Sequence, residues 1–180
     1  YIVDNGKGIL AADESNPTCK KRFDTISVES TEENRRDYRQ LLFQAEGMSN
    51  NIGGVILFDE TIRQNTNDGT PLVDLIKQKE ALPGIKVDKG LAPFENSDIE
   101  KVTQGIGDLD SRCAEYFKMG ALFTKWRAVI SIGNNLPSQG CIDENAKLLA
   151  RYAKIVQKNN MVPIVEPEVL MDGSHNIEEC

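Results

Sequence analysis

Five short apolar segments alternate with four stretches of helical spacing, and the segments are continuously apolar rather than alternating. This predicts an α/β fold with a parallel sheet covered on both faces. Two further observations narrow the prediction to part of a (β/α)8 TIM barrel. Charged residues stand at the carboxyl ends of the segments, where barrel enzymes carry out their chemistry. Successive segments lie ~40 residues apart, so eight such units need a chain well beyond ~250 residues, and the 180 residues here hold about the first five. A five-stranded doubly wound sheet, complete in itself, fits the same periodicity.

Taken in order, residues 8–13 read as a buried strand ending in Asp13 and Glu14. Residues 15–22, SNPTCKKR, read as a polar turn running into a basic segment. Ser30, with Glu33 three residues on, forms a capping box that opens a helix with Tyr38, Leu41, Leu42 and Ala45 on its apolar face, and Gly47 can close it. The second strand, residues 54–58, leads into Asp59 and Glu60. After QNTNDG, Thr70 and Pro71 supply the cap and first residue of a helix carrying Leu72, Val73, Leu75 and Ile76. Residues 84–90 form the third strand. Residues 93–107 are a polar excursion, and Leu109, Cys113 and Tyr116 then mark an amphipathic helix.

The fourth strand, residues 121–130, is followed by the loop GNNLPSQG and a long helix with Ile142, Ala146, Leu149, Ala153 and Val156 on one face, ended by Asn159 and Asn160. Val162 opens the fifth strand, which runs into Glu166, Pro167 and Glu168. Pro167 predicts that ladder pairing is already ending there.

Composition excludes several functions. At 39% hydrophobic and 27% charged, with no low-complexity tract, the chain suits one ordinary domain with a sizeable core. No apolar run approaches the ~20 residues that span a bilayer, and no signal pattern precedes Gly6, so a soluble intracellular protein without membrane contact is expected. A net charge of −7 disfavours a nucleic-acid surface, which needs clustered cations. Cys19, Cys113, Cys141 and Cys180 form no CxxC pair and read as reduced, structural thiols. His175 is the single histidine, so a His-based metal site or Ser-His-Asp triad has almost nothing to work with. The chain opens at Tyr1 rather than Met and stops within a polar stretch, so a fragment is expected.

The placement of charge points to chemistry. In ALFTKWRAVI, Lys125 and Arg127 flank Trp126, so a strand turns both cations to one face and the indole to the other. Cations on a buried-type strand cost free energy unless anions answer them. The same two-residue spacing puts Lys86 with Asp88, and Glu166 with Glu168, on common faces. Solvation is the plain reading for Glu14, Asp59, Glu60 and Lys89, whereas Lys86, Lys125, Arg127 and Glu166 sit inside or against apolar strands and point to function. Lysines beside carboxylates in a dry barrel mouth suit Schiff-base work on a carbonyl. Arg127, Lys86 and the run Lys20, Lys21, Arg22 suit phosphate groups, with Ser15 and Thr18 as added donors. Alone, that run reads as a solvated charge run.

GKGILAADES, TEENRRDYRQLL, GGVILFDET, GIKVDKGLAP, KWRAVISIG, NAKLLARYA and VPIVEPEVLMDG together resemble class I fructose-bisphosphate aldolase, in order, across nearly all 180 residues. The resemblance implies a (β/α)8 barrel, a cytosolic homotetramer in glycolysis, that cleaves fructose 1,6-bisphosphate to dihydroxyacetone phosphate and glyceraldehyde 3-phosphate. It implies no metal and no cofactor. Residues 1–180 would be part of one barrel domain, without a second domain. By the same resemblance Asp13 handles protons around the carbinolamine, Lys125 is a proton-transfer and charge-stabilising partner, Glu166 is the general acid/base of Schiff-base chemistry, and Glu168 is its neighbour. Arg127 lies near a substrate phosphate. Ser15, Thr18, Arg22 and Lys86 match positions around one phosphate end, and Arg35 matches a position linked to substrate.

Asn16-Pro17 departs from the small residue and Gly of many animal members. The family's Schiff-base lysine falls in a segment that would follow Cys180, so the 180-residue chain alone is expected to be inactive. Two other readings stand beside this one: another Schiff-base aldolase of the same barrel type, and a non-catalytic protein holding a phosphorylated sugar or an acidic partner in the barrel mouth.

Overall fold

The computed structural model describes residues 1–95, 97–133 and 135–180. Asn96 and Asn134, in the predicted excursion and in GNNLPSQG, lie outside the described residues. In chain order the elements are β1 (Gly8–Ala12), α1 (Asn16–Asp24), α2 (Glu32–Gln44), α3 (Met48–Asn51), β2 (Ile52–Leu57), α4 (Asp59–Ile62), α5 (Leu72–Gln78), β3 (Leu82–Lys86), β4 (Leu91–Pro93), β5 (Lys101–Thr103), α6 (Leu109–Lys118), β6 (Phe123–Ile130), α7 (Gln139–Lys158) and β7 (Val162–Val169). They fall into two compact units, Tyr1–Lys86 with Tyr116–Thr124, and Val87–Glu115 with Lys125–Cys180.

In the first unit β1, β2 and β3 are parallel neighbours, in registers that set Ala12 against Leu57 and Leu57 against Ile85. Val55 and Leu57 are fully buried, as a continuously apolar inner strand requires. Leu122 N donates to Pro83 O at 2.8 Å, which brings the approach to β6 alongside β3. Phe123 then fills the space left by two glycines: a Cβ on Gly84 would overlap its ring, and one on Gly54 would lie 3.1 Å from it. In the second unit Val87 N donates to Lys125 O at 3.0 Å, and Leu170 N donates to Ile130 O at 2.9 Å, extending the pairing of β7 with β6. The long strands thus follow one another in chain order, β1-β2-β3-β6-β7, without the reversal of a doubly wound sheet.

Several expectations are corrected. β1 is not a buried strand, since it ends the strand order and leaves Ile9 37% exposed. Residues 15–22 are not a turn but most of α1, which starts from Ser15 with Pro17 in its first turn, where a missing N–H costs nothing. The cap of α2 is Thr31, whose hydroxyl accepts from Asn34 N at 3.1 Å, rather than Ser30. The helix stops at Gln44, and Gly47 instead precedes α3. Its buried face is Arg35, Arg39 and Phe43, with Leu41 71% exposed. Thr70 is not the cap of α5, which starts from Pro71.

The 93–107 excursion contains β5, which pairs antiparallel with β4 and sets Ala92 against Val102. This hairpin is tied to neighbouring backbone by Thr103 Oγ1, donating to Arg127 O at 2.6 Å, and by Asn145 Nδ2, donating to Lys101 O at 3.0 Å. α7, capped by Ser138, buries Cys141, Asn145, Leu149, Tyr152 and Val156, while Ile142 is exposed. Asn145 is buried because it serves the hairpin, a role that apolar periodicity does not register. Pro167 does not end the pairing. Residues alternate sides along a strand, so Leu170 N facing β6 puts the missing N–H of Pro167 on the opposite side, where β7 has no neighbour among the described residues.

Candidate active site

The strand β6 carries the central charges. Trp126 is fully buried and stacked on Tyr152, ring centroids 5.4 Å apart and planes 30° from parallel, which anchors the strand. The residues on either side turn to the other face by strand alternation. There Lys125 Nζ lies 3.4 Å from Glu166 Oε1, and Arg127 Nε lies 3.1 Å from Glu168 Oε2. Two cations and two carboxylates at matching two-residue spacing therefore form two rungs between β6 and β7. The first rung is the drier: the side chains of Lys125 and Glu166 are 13% and 32% exposed, those of Arg127 and Glu168 about 40%. A lysine and a carboxylate so placed can pass a proton between them or to a third group, while an exposed guanidinium can take an anion.

In the first unit Asp13 follows β1 directly and is buried, and Lys86 is the last residue of β3. Ser15 precedes α1, and its hydroxyl lies 3.0 Å from that of Thr18. Arg22, one turn further, is paired with Glu14 and 3.4 Å from Tyr38 Oη; the Glu14 carboxylate raises the guanidinium above its usual value. Arg35 does not present an open fork. Its Nε and Nη2 donate to the two carboxylate oxygens of Glu60 at 2.7 and 2.6 Å, and Nη1 donates to Ser30 O. Those hydrogen bonds hold the Glu60 carboxyl below its usual range. Asn16 Nδ2 donates to the same carboxylate at 3.1 Å.

Glu14 and Glu60 are thus engaged with arginines rather than solvated, because α2 delivers Arg35 and Arg39 to them. Arg39 escapes a reading of the sequence that follows apolar periodicity. The available signal is its spacing of four from Arg35, which puts both on one helix face. Lys89 is likewise engaged, with Asp108; hydrogen bonds from Lys89 and Arg112 lower the Asp108 carboxyl to about 2. Among the described residues no group of His, Cys, Asp and Glu is placed to hold a metal ion, and no helix is long and apolar enough to cross a membrane. Cys19, Cys113 and Cys141 are buried and Cys180 is exposed, all four as free thiols, and burial pushes the Cys113 thiol up to about 11.

A family model described as fructose-bisphosphate aldolase class-I matches residues 1–180. A cytosolic fructose-bisphosphate aldolase of Arabidopsis thaliana is 55% identical over 180 residues, covering 100% of this chain and 50% of the relative. The non-muscle fructose-bisphosphate aldolase of Lethenteron camtschaticum is 56% identical over 180 residues, covering 99% and 50%. A solved structure of fructose-bisphosphate aldolase from Plasmodium falciparum superposes with a TM-score of 0.95 at 53% identity, over 98% of this chain and 52% of that one. The chain spans about half the length of the curated relatives it matches. Its fold is that of about the first five βα units of a (β/α)8 barrel. By sequence across every residue and by the course of its strands, the chain belongs to the class I fructose-bisphosphate aldolase family.

Proposed function

We propose that the full-length protein is a glycolytic fructose-bisphosphate aldolase, cleaving fructose 1,6-bisphosphate reversibly to dihydroxyacetone phosphate and glyceraldehyde 3-phosphate through a lysine Schiff base. The observation that carries the reading is the Lys125–Glu166 couple, 3.4 Å apart on apolar strands of a chain that matches the family from end to end. In this reading an amine outside residues 1–180 adds to the substrate carbonyl. Glu166 gives the proton with which the carbinolamine oxygen leaves as water, Lys125 supports the charge that develops beside it, and Glu168 neighbours Glu166. Asp13 handles protons at the carbinolamine. Arg127 faces one substrate phosphate, while Ser15, Thr18, Arg22 and Lys86 surround a phosphate end. Arg35 acts on substrate at most indirectly, its fork being held by Glu60.

Residues 1–180 form, on this proposal, part of a single barrel domain, and the full-length protein is a cytoplasmic homotetramer that works on sugar phosphates without a metal. Reduction with borohydride in the presence of dihydroxyacetone phosphate tests the chemistry. The full-length protein should become covalently labelled at a lysine outside residues 1–180, and the 180-residue chain should stay unlabelled. A label on Lys125 or Lys86 would overturn the assigned roles. Absence of both label and cleavage in the full-length protein would overturn the function.

A further inference from the structure

Asp13 is gripped through its neighbours. The carbonyl oxygens on either side of it, those of Ala12 and Glu14, accept from a single guanidinium: Arg39 Nε donates to Ala12 O at 3.4 Å and Nη2 donates to Glu14 O at 2.7 Å. The same group reaches Glu14 Oε2 at 3.3 Å, and its Nη1 donates to Cys19 Sγ at 3.0 Å. Arg39 is 1% exposed. A buried cation is tolerated only where acceptors surround it, so the backbone of residues 12–14 and the guanidinium hold one another in place. The helix that delivers Arg39 is itself fixed nearby, because Arg35, one turn earlier on α2, grips Glu60 with both arms of its fork.

We infer that Arg39 is a positioning residue for Asp13: its fork fixes the backbone on both sides of the carboxylate and so sets where that carboxylate stands. The inference rests on the aldolase reading, in which Asp13 moves protons. Lysine cannot substitute, because a point charge does not reproduce a planar fork that satisfies several acceptors at once. Displacing a proton-handling group by a fraction of an ångström acts on the chemical steps rather than on substrate capture, so the loss falls on kcat.

The experiment is a double-mutant cycle in the full-length enzyme, with Arg39→Lys, Asp13→Asn and the pair, read by steady-state cleavage of fructose 1,6-bisphosphate and by thermal unfolding. Arg39→Lys should lower kcat by about 10²-fold with KM nearly unchanged. In the Asp13→Asn background the same change should cost nothing further, because the carboxylate through which Arg39 acts is gone. A residue that merely stabilised the fold would cost the same in both backgrounds. Glu14→Gln, which keeps the carbonyl contacts and removes the anionic partner, serves if Arg39→Lys does not fold; its smaller kcat loss should also vanish beside Asp13→Asn. Unchanged kcat in the folded variant, or an equal loss in both backgrounds, overturns the inference and leaves the aldolase reading standing. Full activity of Asp13→Asn, or an inactive wild type, overturns the reading and the inference with it.

Discussion

Glu166 and Lys125 carry the sharpest prediction at the scale of single residues. If Glu166 moves the proton in forming and breaking the Schiff base, Glu166→Gln in the full-length protein lowers kcat by about 10²–10⁴-fold while leaving KM for the bisphosphate close to wild type. Steady-state kinetics decide, and near-normal turnover would remove Glu166 from that role. Asp108 offers a pH signature. Its carboxyl is lowered from 3.8 to about 2 by hydrogen bonds from Lys89 and Arg112, so the native state favours the charged form. That contribution to stability is fully present above about pH 4 and disappears as pH falls through 2. Thermal melts of wild type and Asp108→Asn should differ by a constant amount from pH 7 down to about 4 and converge near pH 2; a gap that persists at pH 2 contradicts the assignment.

Lys125, Arg127, Glu166 and Glu168 are legible in the sequence because charges two apart in an apolar strand share one face and require opposite charges to answer them there. Arg35 and Arg39 are not. Their anions lie 25 residues away in each case, at Glu60 in α4 and at Glu14 between β1 and α1, and no local pattern couples helix arginines to carboxylates at such separations.

Elements test the same contrast through their faces and ends. α2 depends on Thr31 for its cap, so Thr31→Ala should cost about 1 kcal/mol. Ser30→Ala should cost less, since Ser30 gives no cap. Equal losses in denaturant titrations would restore the capping box that the sequence favours. On α7, Leu149→Ala should destabilise by about 2–5 kcal/mol and Ile142→Ala by no more than about 0.5 kcal/mol, because Leu149 is 7% and Ile142 39% exposed. Gly84→Ala drives a methyl group into the Phe123 ring and should cost about 1–3 kcal/mol. Phe123→Leu in that background should recover part of the loss, an outcome that a purely conformational role for Gly84 would not produce. Where apolar spacing is undiluted, as in Leu109, Cys113 and Tyr116 of α6, the reading of the sequence and the buried face agree. It errs where a polar residue takes a core position: Arg35 and Arg39 on α2, Asn145 on α7.

At the scale of the whole molecule, the strand order begins with β1 and finishes with β7, each with one side that no strand covers among the described residues. Unpaired strand edges recruit other edges. Produced by itself, the 180-residue chain should therefore self-associate with rising concentration, seen as growth in light scattering; a monodisperse monomer across the concentration range contradicts this. The sequence by itself determines the alternation of strands and helices, the carboxyl-end placement of Asp13 and Lys86 and the family. Each of these is written in local periodicity or in residue-by-residue identity. Lys125 and Arg127, expected at a carboxyl end, instead stand third and fifth of the eight residues of β6. Only the tertiary structure decides which carboxylate each cation meets, which face of α2 is buried and that Pro167 stays within a strand. Those outcomes depend on neighbours distant in the chain, and a buried charge or a missing N–H is admissible only once such a neighbour supplies an acceptor or leaves a free edge.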